Sequence, residues 1–283
     1  MLVPAHGNDF VFPFNPIYNY NLHRNQNCLV LMFLCFEVDG KRYPVLFDYW
    51  ISQIYYDEDE PYFTKDEIFI KSVDYLINAG LNIETMLFDA GLFHKEVLTK
   101  LSGFGINIVS RCPKGYLVKT ASGKQKAKDV FTGVYNGEFY YYHPYEKFLI
   151  SAPAEVLGQE GQIVGIANDR KGLLEKELFF LFSTNLGITA PQILRLYKRR
   201  WKIESFFKLL KSYLSLSVFY RNDYEYVNTR INIALAGFIV IQEMAVHLQR
   251  SFYQTLKLFQ DGKLEQLFQD TFKSCSKYFC SFV

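Results

Sequence analysis

The chain has 283 residues, of which 49% are hydrophobic and 18% aromatic, and its formal net charge is only +2. So high an apolar and aromatic content excludes an intrinsically disordered protein, and the length allows one large domain or two small ones. The five cysteines contain no CxxC pair, which argues against a zinc site or a disulfide framework and favours reduced thiols in a cytosolic protein.

The sequence predicts neither a signal peptide nor a membrane-spanning segment. The opening residues, MLVPAHGNDF, lack the basic and apolar regions of a signal peptide. The longest apolar stretch, INIALAGFIVI at 231–241, is too short to span a bilayer and is typical of a buried helix. We therefore expect a cytoplasmic protein.

The first elements predicted along the chain are two paired strands. Residues 28–38, CLVLMFLCFEV, form a nearly continuous apolar run, which is typical of a strand covered on both faces. Asp39-Gly40 predicts a tight hairpin turn, and 43–51 predicts the returning strand.

The next segment alternates between helix and strand. Residues 63–80 predict a helix capped by Thr64, with Glu67 completing a capping box and Gly80 ending it. A short apolar strand at 83–88 ends at Asp89, and a helix over FHKEVLTKLSGFG leads to a strand at 106–112. This rhythm indicates an α/β fold, in which helices flank one mixed sheet containing the strands near 29–38, 43–51, 84–88 and 106–111.

The second half of the chain changes character. Residues 113–182 are glycine-rich with short alternating segments, which predicts a β-rich insertion. A strand at 177–185 leads into a long helix, 191–214, with Thr189 as its cap and Pro191 in its first turn. A second helix is predicted over 224–250, and the tail from 251 to 283 is expected to be helical in part.

The long helix is strongly basic around one acid. Between Arg195 and Lys211 there are seven basic residues and a single carboxylate, Glu204, while the rest of the chain is net acidic. At 100° per residue, one stripe of the helix carries Tyr197, Arg200, Glu204, Lys208 and Lys211. Glu204 can form ion pairs one turn away in both directions, or it can be a metal ligand beside cations that hold phosphates.

The motif around Glu204 resembles that of a known family. The spacing Tyr197, two residues, Arg200, three residues, Glu204, six residues, Lys211 matches the Y-(2)-R-(3)-E-(6)-K signature of the DDE transposases of the insertion-sequence-four group. MLFDAGLFHKEVLTKLSGFGINIVSRC resembles the segment with that family's second catalytic Asp, and NCLVLMFLCFEVDGKRYPVLF resembles the hairpin after the first. The resemblance covers roughly residues 20–250.

The resemblance implies a fold and a reaction. The fold is a ribonuclease-H-like mixed sheet with flanking helices and a β-rich insertion before the last long helix. In this chain the resemblance assigns residues 1–112 and 183–250 to the core, 113–182 to the insertion and 251–283 to a helical tail. The reaction is cut-and-paste transposition: water cleaves a DNA strand at the transposon end, and the freed 3′-hydroxyl attacks target DNA. The implied partners are double-stranded DNA and a second copy of the chain.

The resemblance also implies roles for individual residues. Asp89 and Glu204 are the second and third catalytic acids, and they hold two divalent metals, Mg²⁺ or alternatively Mn²⁺. Tyr197, Arg200 and Lys211 are expected to contact DNA near the transposon end, with Trp201, Lys202 and Lys208 as neighbours in the same role.

The chain departs from the family pattern at the first catalytic acid. This acid is expected in an Asp-Asp-Thr-like motif about 25–30 residues before Cys28, and no such motif occurs in the chain. We expect a truncated or decayed copy; Asp9 and Asp48 are the alternatives. Two other function classes stay open, a non-catalytic DNA-binding remnant and an interaction protein whose basic helix binds an acidic partner.

Overall fold

The computed structural model describes residues 2–4, 15–19, 23–53, 61–132, 134, 138–175, 177–216, 219 and 223–263. The chain divides into two compact units. Unit 1 combines Met1–Glu60 with Glu204–Val283, and unit 2 is the continuous segment Pro61–Ile203.

Among its described residues, unit 1 contains an antiparallel sheet centred on one long strand. Strand β3 pairs with each of the other three, and the bounds are β1 Leu2–Pro4, β2 Asn15–Asn19, β3 Arg24–Val38 and β4 Lys41–Trp50. Asp39 and Gly40 connect β3 to β4 with φ angles of 50° and 77°. Positive φ at both positions is what a two-residue hairpin turn requires, so the predicted hairpin is confirmed.

Three helices accompany this sheet in the part of unit 1 that the structure describes: α5 Lys202–Tyr213, which begins two residues before the unit boundary, α6 Tyr224–His247 and α7 Phe252–Gln260. Phe206 is fully buried, and its ring lies 5.7 Å from that of Phe33 on β3 and 4.9 Å from that of Phe238 on α6. Helix α6 is also tied to β4, because the Tyr43 hydroxyl donates to Glu243 over 2.8 Å.

Helix α6 extends well beyond the apolar stretch seen in the sequence. Its 24 residues are long and apolar enough to cross a membrane by length and composition, and 39% of its most apolar window is buried within the protein. The buried positions form one face, which includes Val227, Ile231, Phe238 and Ile241. A core helix of a soluble protein meets the same two criteria, so they are weak evidence for a span.

Unit 2 is built on an eight-stranded sheet within the described residues. The strand order is β5-β6-β12-β11-β10-β7-β8, and β9 also pairs with β10. Strands β5 and β6 are parallel, and the other pairs are antiparallel. The bounds are β5 Thr85–Phe88, β6 Asn107–Cys112, β7 Leu117–Thr120, β8 Gly123–Lys126, β9 Tyr140–Tyr142, β10 Lys147–Val156, β11 Gln159–Ala167 and β12 Leu178–Ser183.

Three of the helices described in unit 2 begin within two residues of where the sequence predicts, and one short helix, the third along the chain, was not predicted. Their bounds are α1 Lys65–Asn78, α2 Lys95–Gly103, α3 Arg170–Leu174 and α4 Ala190–Arg200. Thr64 caps α1 in a full capping box with Glu67, and Thr189 caps α4 with Gln192 and a proline in the first turn. Ile193, Leu194 and Tyr197 of α4 pack on the sheet with a buried cluster that contains Val109, Leu149, Val164, Ile166 and Leu181.

The predicted fold class, a mixed α/β structure with flanking helices, is confirmed, but two details were wrong. The four strands that were expected to share one sheet form two pairs in two separate sheets. The single helix expected over 191–214 is divided at Trp201 into α4 and α5. The division of the chain into a core, an insertion and a tail stays a prediction.

Candidate functional site

Asp89 lies at the carboxyl end of β5, with an exposed side chain. Its Oδ1 accepts a hydrogen bond of 2.8 Å from the Gly91 amide and so caps the short 3₁₀ turn over Ala90–Leu92. Ser110 on β6 donates from its hydroxyl to the Asp89 carbonyl over 3.2 Å. Backbone and side chain are thus fixed from two directions, and the cap occupies one carboxylate oxygen while the group as a whole faces solvent.

The start of the basic segment lies in unit 2 and is held by the core. Tyr197 is only 7% exposed and belongs to the buried cluster under α4. The Arg200 guanidinium lies 5.3 Å from the centre of the Tyr197 ring, a cation–π distance. The Tyr197 ring therefore supports Arg200, whereas Trp201 is 60% exposed at the end of α4. The DNA contacts of these residues, and of half-buried Lys202, stay predictions.

Tyr197, Arg200 and Trp201 line one pocket of unit 2 with a volume of about 610 Å³. Its other described walls are Arg111, Lys147, Asn168, Phe179, Leu194 and Lys198. Sequence reasoning missed Arg111 and Lys147 as site residues, because each is a single cation on a strand without a local motif. Only the sheet, in which β10 and β6 are separated by two strands, brings them to the end of α4.

The rest of the basic segment belongs to unit 1, on α5. Glu204 and Lys208 are exposed, and Lys211 is half-buried. Burial lowers the pKa of Lys211, which the neighbouring Cys28 partly offsets. Burial also raises the pKa of the Cys28 thiol, against the effect of Lys211.

The unit boundary falls between Ile203 and Glu204, so Asp89 and Glu204 belong to different units. Within the described residues, no three His, Cys, Asp or Glu side chains gather into a metal site. A metal shared by Asp89 and Glu204 therefore stays a prediction.

A model of the transposase DDE domain matches residues 66–236. This chain belongs to the transposases that carry a DDE domain. The match spans both Asp89 and Glu204, and it confirms the resemblance at the level of the family, together with DNA as the substrate and DNA transposition as the process. None of the curated proteins matches the chain.

Of the two alternatives for the first acid of this transposase, the structure describes only Asp48. Asp9 lies outside the described residues. Asp48 is exposed on β4 in unit 1, where its Oδ1 accepts a 2.7 Å hydrogen bond from the Tyr49 amide and its neighbour across the hairpin is Met32. That hydrogen bond to the next residue gives Asp48 a local structural role, and the identity of the first acid stays open.

Proposed function

We propose that this chain is a cut-and-paste DNA transposase of the insertion-sequence-four group, which acts on double-stranded transposon ends and target DNA. The observation that carries the proposal is the DDE-domain match over 66–236, within which Tyr197, Arg200, Glu204 and Lys211 have the spacing of that group's signature. We place its action at the nucleoid in the cytoplasm of a prokaryotic cell, as a homodimer on DNA.

Asp89 and Glu204 are the proposed metal ligands, with Mg²⁺ as the metal and Mn²⁺ as a substitute. Carboxylate oxygens are the donors that Mg²⁺ prefers, and an exposed carboxylate fixed at the carboxyl end of a strand suits a site open to substrate. When bound, divalent metal stabilises charge on the attacking and leaving oxygens of an in-line displacement. The chain's own cations, Arg200 at the end of α4 and Lys208 and Lys211 on α5, hold DNA phosphates.

A non-catalytic DNA-binding role is the second candidate. It is favoured by the lack of an Asp-Asp-Thr-like motif anywhere in the chain, because two carboxylates bind metal more weakly than three. Both candidates predict DNA binding and differ in cleavage.

The test measures binding and nicking by the purified chain. We expect binding to duplex DNA without sequence preference and a steep loss of affinity with salt, because phosphate contacts release counterions. With Mg²⁺ we expect only slow nicking of supercoiled plasmid, because the Asp-Asp-Thr-like motif of the first acid is missing; no nicking at all would favour the non-catalytic candidate. Salt-independent binding, or none, would contradict the proposal and favour an acidic protein partner. Fast nicking would identify a complete acid set, and Asp9→Ala and Asp48→Ala would then show which residue completes it.

Gly91 offers a test of how Asp89 is positioned. A Cβ at position 91 would lie 3.0 Å from Asp89 Oδ1, closer than an ordinary contact, so Gly91→Ala must shift the carboxylate by a few tenths of an ångström. We expect Mg²⁺ affinity to fall roughly tenfold, as with other residues that orient a ligand, while the melting temperature changes little at this exposed position. Calorimetric titration with Mg²⁺ measures the effect. Gly115→Ala is the control, since a Cβ there meets nothing within 4 Å, and equal affinities in the two variants would argue against Asp89 as a ligand.

A further inference from the structure

The 610 Å³ pocket of unit 2 collects positive charge from three separate parts of the chain. Arg111 comes from β6, Lys147 from the start of β10, and Lys198 and Arg200 from α4. Among the described residues that line it, every charged side chain is a cation. Four like charges around one concavity repel one another, and an anion relieves that repulsion.

Two of these cations are held in place by neutral partners. Lys147 donates from Nζ to the backbone carbonyl of Asn168 over 3.0 Å. The Lys198 ammonium lies 3.6 Å from the centre of the Tyr145 ring. Neither contact neutralises a charge, so both ammonium groups can still attract an anion.

The surroundings of Lys198 also favour an anionic ligand. Burial lowers the pKa of Lys198, and the nearby Lys147 lowers it further. Asp169 follows the pocket residue Asn168, but its Oδ1 is engaged with the Gly172 amide at 2.7 Å as the cap of α3. A bound phosphate would stabilise the charged form of both lysines and raise the pKa of Lys198 again.

We propose that Lys147 and Lys198, together with Arg111, bind a phosphodiester group of the DNA backbone in this pocket. This inference rests on the proposed function for the identity of the ligand as DNA. In this proposal DNA is contacted not only by the signature residues but also by the β-rich segment, through Lys147 on β10. A free phosphate or nucleotide has the same anionic chemistry and is the rival source.

An exposed basic surface of this size is common in solvated proteins, where it binds no particular ligand. The pocket differs because its cations line a concave space with Phe179, Tyr197 and Trp201 as partly apolar walls. Such walls reduce solvent screening and strengthen the attraction of a phosphate.

The experiment measures the salt dependence of binding to a short DNA duplex. Lys147→Ala and Lys198→Ala are each expected to weaken binding equally for all sequences, and to reduce the slope of log affinity against log salt by about 0.9, the value for one phosphate contact. Lys198→Arg keeps the charge and is expected to keep the slope. The matched control is Lys100→Ala, which removes an exposed cation of α2 in the same unit and is expected to leave the slope unchanged. Circular dichroism melts establish that each variant folds.

A second measurement separates the sources of phosphate. The side-chain NMR signals of ¹³C-labelled Lys198 are followed during titration with the duplex, with inorganic phosphate and with a deoxynucleotide. Signals that shift with the duplex at micromolar concentration, and with the small anions only at millimolar concentration, would support the DNA assignment. Unchanged slopes in Lys147→Ala and Lys198→Ala, while the unsubstituted chain binds DNA, would overturn it. Failure of the unsubstituted chain to bind DNA would contradict the proposed function itself.

Discussion

Replacing Glu204 by Gln is expected to abolish Mg²⁺ binding while DNA affinity stays equal or rises. The substitution keeps the size of the side chain and removes the charge that a hard cation requires of its ligand. It also removes the single negative charge from a segment with seven basic residues, so a DNA phosphate meets less repulsion there. Mg²⁺ binding is measured by calorimetric titration, and DNA binding by fluorescence anisotropy at two salt concentrations.

The competing interpretation assigns Glu204 to ion pairs on the surface of α5. In that case the change costs only a few tenths of a kcal/mol of stability, because exposed pairs contribute little, and Mg²⁺ binding is unaffected. Glu225→Gln is the control, since Glu225 is also exposed, in the first turn of α6 in unit 1. Identical Mg²⁺ affinities for the two variants would reject the metal role.

The same titration can test whether Asp89 and Glu204 share a metal. If they act on one ion, Asp89→Asn alone is expected to lose as much Mg²⁺ affinity as the double variant with Glu204→Gln, because one missing ligand already empties the site. Independent sites would give additive losses.

Features that depend on neighbours in sequence were predictable. The capping box of Thr64 with Glu67 and the cap at Thr189 with Pro191 in the first turn both occur as expected. The turn at Asp39-Gly40 also occurs, because positive φ at two successive residues strongly favours that pair. In each case the local chain chemistry dictates the conformation, whatever packs around it.

The break at Trp201 was not predictable, because neither glycine nor proline marks it. The Trp201 amide donates to Lys198 O over 3.2 Å, a tighter turn than that of an α-helix. On either side the helices have different packing partners: α4 packs through Ile193 and Leu194 in unit 2, and α5 through Phe206 in unit 1. The stripe from Tyr197 to Lys211 assumed one unbroken helix, and across Trp201 it stays a prediction.

The pairing of strands could not be predicted from the sequence for a related reason. The apolar run at 28–38 indicates a covered strand but not which strand covers it. Among the described residues, the strands that pair with β3 all belong to unit 1, while β5 pairs with β6 in unit 2. Likewise, the convergence of Lys147 on Lys198 depends on the order of strands in the sheet, which no local pattern of residues encodes.

Among the described glycines, Gly161 is the one at which substitution by alanine is expected to destabilise the fold most. It lies on β11, and a Cβ there would overlap the backbone carbonyl oxygen of Ser183 on β12 and approach the ring of the fully buried Phe182 to 2.8 Å. Backbone at the centre of a sheet cannot move aside without losing hydrogen bonds to its neighbours. Because β12 is the element before α4 and packs under it, a displacement of this strand is also expected to disturb the helix that carries Tyr197 and Arg200.

Gly161→Ala is accordingly expected to lower the free energy of unfolding by about 3 kcal/mol or more, at the upper end of overpacking effects and a large fraction of the stability of an ordinary domain. Gly165→Ala provides a graded comparison, because its Cβ would meet the side chain of Phe131 at 2.8 Å, and a side chain can turn; a loss of about 1–3 kcal/mol is expected. Gly103→Ala in α2 meets nothing within 4 Å and should be neutral or slightly stabilising. Urea unfolding monitored by circular dichroism gives all three values. A stability of Gly161→Ala equal to that of Gly103→Ala would show that β11 and β12 do not approach as closely as the structure places them.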